Sequence, residues 1–126
     1  MKYKNELSKR LLSFAVDVIQ FVRKLPKQTE YNIIRYQLIK SVTSSGANYQ
    51  EAQSAYSLAD FRNKVHIALK EISETTYWLK IISQIIESEN RQRGLKPLLN
   101  ESKELENILG SIVKKTKRSK NKIHSP

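Results

Sequence analysis

Apolar residues of this chain recur at spacings of three and four, the period of a helix face. Leu7, Leu11, Phe14, Val18, Phe21 and Leu25 form one such line, predicting a helix over residues 5–24. Pro26 stops it, because the residue before a proline is pushed out of the helical region. A second line, Tyr31, Ile34, Leu38, Val42, Ser45, Tyr49, Ala52 and Tyr56, predicts a helix over residues 30–55, with Thr29 as its N-cap. Its middle, Ser41-Val42-Thr43-Ser44-Ser45-Gly46-Ala47, is poor in helix formers. That patch reads either as a loop or as a continuous helix whose small side chains admit a close neighbour. The stripe keeps phase across it, which favours the continuous helix.

Ser57 is placed to cap a third helix, with Asp60 in its first turn. The stripe Leu58, Phe61, Val65, Ala68, Leu69, Ile72, Thr76, Leu79 and Ile86 carries that helix to about residue 88. The polar stretch 87–94 and residues 95–97 then lead to a fourth helix over 98–115. Its apolar side is Leu98, Leu105, Ile108, Leu109, Ile112 and Val113. Four amphipathic helices with short connections predict an all-α, antiparallel up-down-up-down four-helix bundle. The bundle is expected to occupy residues 1–115, and residues 116–126 to form a basic, disordered C-terminal tail.

A bundle helix needs one buried stripe, and two of these helices carry a second. Ile67, Trp78, Ile81 and Ile85 cluster on the side of the third helix opposite its main stripe. Leu12, Val16 and Ile19 likewise sit away from the main stripe of the first, at about 100° per residue. A Trp in line with three Ile is a patch that monomers rarely leave in water, although deeper burial of the third helix would also account for it. Helices one and three lie on a diagonal of such a bundle, so their outward faces are expected to point in opposite directions. The expected contact is heterologous, closing into a cyclic homo-oligomer. Glu74 shares the second face with Trp78 and stands four residues from Lys70, within pairing distance on a helix.

Charge adds a second theme. The net charge is +11 and is unevenly spread. Residues 1–40 carry nine Lys/Arg against three acids, residues 41–113 eight against nine, and residues 114–126 six against none. This asymmetry points either to a polyanionic partner, RNA or DNA, or to solubility alone. The candidate phosphate contacts are Lys9, Arg10, Arg23, Lys24, Lys27, Arg35 and Lys40, with Lys114, Lys115, Lys117, Arg118, Lys120 and Lys122 as an electrostatic arm. No base-reading motif is visible, so binding is expected to follow the nucleic-acid backbone.

Cysteine is absent, excluding a thiolate metal site or Cys nucleophile. His66 and His124 are the only histidines, and Asn63 stands where a Glu-x-x-His di-metal motif needs Glu. No cofactor, metal or catalytic residue is expected, and the reading is non-enzymatic. No apolar run approaches the roughly 18 residues of a membrane span, so a cytoplasmic protein without membrane contact is expected.

The span from Leu11 to Ile86 resembles the bacterial 23S rRNA intervening-sequence protein family, also called the S23 family. The resemblance rests on Leu25-Pro26, Gln37-Leu38 with Lys40-Ser41-Val42, and Ser44-Ser45 followed by Ala47-Asn48-Tyr49-Gln50-Glu51-Ala52. It continues in Asp60-Phe61, Lys70-Glu71-Ile72-x-Glu74 and Tyr77-Trp78-Leu79. Glu51-Ala52 stands where many members have Glu-Gly. The resemblance implies left-handed bundles assembled as pentameric rings with a basic surface. It also implies ribosomal RNA as one partner and, through the accessory proteins of diversity-generating retroelements, a reverse transcriptase as another. A protein-interaction scaffold without nucleic-acid binding is the alternative reading.

Overall fold

The computed structural model describes residues 2–124, and side chains for residues 6–117. Four helices follow in order: α1 (Lys2–Val22), α2 (Thr29–Ala52), α3 (Leu58–Ile85) and α4 (Glu89–His124). No strand occurs among the described residues. Consecutive helices pack side by side and α4 returns to α1, giving the up-down-up-down bundle with α1 and α3 on a diagonal. The predicted stripes supply most of the core: Leu11, Phe14, Val18, Leu38, Val42, Val65, Ile72, Leu79, Leu105 and Leu109 are all buried. Tyr56 leaves its stripe and is fully exposed in the α2–α3 connection.

The turn after α1 is closed by Arg35 of α2. Its Nε donates to Val22 O at 3.0 Å and its Nη2 to Leu25 O at 2.9 Å, so a side chain satisfies carbonyls the helix end leaves open. Helix α2 begins at Thr29 instead of after it. Gln28 holds the extended N-cap position, with no side-chain cap.

Helix α2 runs unbroken through Gly46. Its weak formers are offset by burial and hydrogen bonding. Ser41 Oγ lies 2.8 Å from Thr75 Oγ1, and Ser45 Oγ donates to Ala68 O at 3.1 Å, which joins α2 to α3 through the core. Ser57 caps α3 as its sequence position predicts, accepting from Asp60 N at 3.1 Å.

The start of α4 departs from the sequence reading. The helix begins at Glu89, nine residues before the expected Leu98, and passes through Pro97. Proline removes one backbone donor there, but tertiary contacts hold the first turns. Leu95 is buried, Gln92 Nε2 donates to Ser83 O at 2.9 Å, and Phe21 of α1 packs on Gly94. The polar composition of residues 87–94 hides these anchors.

Candidate assembly faces and basic surface

The second apolar lines sit differently from the sequence expectation. On α1, Leu12 is 66% and Val16 44% exposed. Arg10, on the opposite flank of the stripe, reaches α4, whereas Leu12 lines a groove of about 470 Å³ with Thr43, Gly46, Ala47 and Gln50 of α2. Val16 and Ile19 follow Leu12 at four and seven residues, so the whole line flanks α2.

On α3 the second line also turns to α2. Thr75 and Lys64 meet Ser41 and Glu51 of α2, and Ile67, Trp78 and Ile85 project from that side and outward. Trp78 and Ile81 are half-covered by their own core, while Ile85 is exposed. Exposed Ile33 and Tyr36 of α2 stand between the two lines. The two lines therefore occupy adjoining faces that meet at α2 and do not point in opposite directions. The diagonal placement of α1 and α3 is as expected. The difference lies in each line's rotation about its own helix, some 100–130° from the buried stripe and not 180°.

Glu74 accepts from Trp78 Nε1 at 3.1 Å. Among the described residues the ion pairs are Arg10–Glu101, Arg10–Glu104 and Lys64–Glu51, so the Lys70–Glu74 pair suggested by spacing is not among them. Partial burial, reinforced by neighbouring Glu74, raises the Glu71 pKa, and Lys40 and Lys70 act against the rise. The hydrogen bond to Glu51 raises the pKa of Lys64. Asn48 donates to Ser44 O at 2.9 Å within α2.

The cations singled out in the sequence divide into two groups. Arg10 grips Glu101 with two bonds of 2.7 Å and reaches Glu104 at 2.9 Å, so it joins α1 to α4. Its pKa is raised, first by the Glu101 hydrogen bond and then by Glu104. Arg35 is occupied by the backbone of the α1–α2 turn. Lys9, Arg23, Lys24, Lys27, Lys40, Lys114, Lys115 and Lys117 are exposed. The side chains of Arg118, Lys120 and Lys122 lie outside the described residues, but their backbone does not: α4 continues to His124, so residues 116–124 are helical where a disordered tail is expected.

The sequence reading missed Lys96 and Lys103, which fall in line with Lys114 of the expected arm. Lys96, Lys103 and Lys114 are exposed at spacings of 7 and 11 on one side of α4. Both intervals return to the same helix face. Lys80, His66 and half-buried Arg62 stand on the adjoining side of α3. A cleft of about 300 Å³ between α3 and α4 is lined by Arg62, Asn63, His66, Val113 and Lys117. No cluster of three or more metal-ligating side chains occurs among the described residues, and no helix is long and apolar enough to cross a membrane.

These features define a helical bundle with two partly uncovered apolar faces and a large excess of unpaired cations. The chain belongs to the 23S rRNA-intervening sequence protein family, whose description matches residues 3–111. It is similar to a solved protein of unknown function from the S23 ribosomal protein family of Bacteroides thetaiotaomicron. That likeness has 35% identity and a TM-score of 0.75, covering 86% of this chain and 98% of the other. A comparison with curated proteins finds no match.

Proposed function

We propose that the protein is a non-enzymatic, ring-forming module that binds the backbone of nucleic acid, RNA or DNA, or a ribonucleoprotein containing it. The observation that carries the binding reading is the unpaired charge. Of the cations in a +11 chain, only Arg10 and Lys64 form ion pairs among the described residues. The family's description, which refers to 23S rRNA, agrees with a nucleic-acid partner.

The ring reading rests on the two adjoining apolar faces. If the α1 line of one subunit docks on the α3 line of the next, each subunit is a wedge with α2 toward the axis and α4 outward. Faces that meet at an edge turn each added subunit and close a small ring, whereas opposed faces would propagate an open array. A pentamer, as the family resemblance implies, is one such ring.

Fluorescence anisotropy with labelled RNA and DNA at two salt concentrations tests the binding. Affinity should fall steeply as salt rises, and removing residues 114–126 should flatten that dependence. An absence of binding at low salt would reject the reading. The scaffold alternative, in which another protein covers the groove beside Leu12 and charge only aids solubility, predicts that absence.

A further inference from the structure

We infer that the face formed by α3 and α4 is the track on which the phosphodiester backbone lies. This inference deepens the nucleic-acid reading and rests on it. Along the chain, residues 41–113 are nearly neutral, with eight bases and nine acids. In the fold those charges separate. Glu101 and Glu104 turn to Arg10 on the α1 side, and Glu51 pairs with Lys64 on the α2 side, where Asp60 also acts on that lysine. Glu71 and Glu74 share the α2-facing flank of α3, Glu71 near Lys40 and Glu74 against Trp78. Glu106, the one carboxylate between α3 and α4 away from the connections, points inward to Thr76.

What remains outward on the α3/α4 face is Lys80, Lys96, Lys103 and Lys114, with His66 and Arg62 beside them. Glu87 and Glu89 stand at its far end, in and just after the α3–α4 connection. At 1.5 Å per residue, the line from Lys96 to Lys117 extends about 30 Å, long enough to follow several successive phosphates. At the opposite end from the connection, the Arg62–Asn63–His66–Lys117 cleft gathers a guanidinium, an amide, an imidazole and an ammonium with no carboxylate in its lining. That donor set suits a phosphate oxygen. The track also lies away from both apolar lines, so subunit docking through those lines leaves it open.

The test uses the full chain and two charge-matched triple variants. K96Q/K103Q/K114Q removes three track cations. K9Q/R23Q/K24Q removes three exposed cations of α1 and the turn that follows it, which sit apart from the track. Anisotropy titrations against single-stranded RNA, duplex RNA and duplex DNA over a salt series give the slope of log K against log salt. The track variant should flatten that slope by about 2–3, while the α1 variant should change it by less than half as much. Circular dichroism and light scattering check that both variants keep fold and assembly. Equal slopes for the two variants, or a larger effect from α1, would overturn the track. A wild-type chain that binds none of the three ligands overturns the nucleic-acid reading itself, and the track with it. Equal affinity for RNA and DNA duplexes identifies the backbone phosphates as the ligand; preference for RNA adds a contact to its 2′-hydroxyls.

Discussion

Arg10 and Arg35 show how two residues of one charge can be spent inside a bundle. Arg35 replaces the missing backbone donors at the end of α1, and Arg10 bridges the least intimate neighbours, α1 and α4. The Arg10 pair is partly exposed, so its worth is limited by solvent, but the fork geometry places it at the upper end for such pairs. Arg10→Ala should lower unfolding stability by about 1 kcal/mol. Urea unfolding of R10A, E101A and the double variant would measure the coupling, and a coupling of zero would reduce the bridge to a surface orientation. From sequence, both residues read as surface cations, because neither the helix-end carbonyls nor the distant acids are neighbours along the chain. Lys96 and Lys103, in line with Lys114, show the converse. Their 7 and 11 spacing was visible, but interleaved Glu101, Glu104 and Glu106 masked it until the fold separated those acids from the lysines.

At the scale of the element, α2 is weak by propensity and is sustained by periodicity. The stripe through Ser41, Val42 and Ser45 stays in phase, and these three residues are fully or almost fully buried. Gly46 and Ser45 nevertheless tolerate change differently. A Cβ added at Gly46 would lie 3.7 Å from Leu11 Cβ, an ordinary contact, and helix interiors favour Ala over Gly by about 1 kcal/mol. Gly46→Ala should therefore raise the unfolding midpoint. Ser45→Leu should lose the bond to Ala68 O and overfill the α2–α3 seam, costing about 1–3 kcal/mol or more. Thermal melts of the two variants should move in opposite directions, and a destabilised G46A would mean that α1 cannot absorb even one methyl group. The start of α4 was illegible for the converse reason: Leu95, Gln92 and Gly94 hold it through α1 and α3, while the local sequence, with Gly94 and Pro97, signals a break.

The whole molecule has polarity of purpose around its section. Apolar lines border α2, cations line the α3/α4 groove, and mixed charges bind α4 to α1. If the α1 and α3 lines are the two halves of a heterologous contact, each half can be blocked separately. Val16→Glu places a charge on the α1 line and Ile85→Glu on the α3 line, both at sites already exposed in the subunit, so the fold should survive. Each variant alone should run as a monomer in light scattering where the wild type forms a ring. Each also retains the half that the other lacks. An equimolar mixture should thus form a one-to-one dimer and stop there, since the single intact contact uses up both good faces. Isologous contacts, in which each line meets its own copy, predict something different: each variant alone would keep one self-pairing face and remain dimeric. Monomeric variants that yield a dimer only on mixing would establish the heterologous arrangement, and monomeric wild type at micromolar concentration would remove the ring altogether.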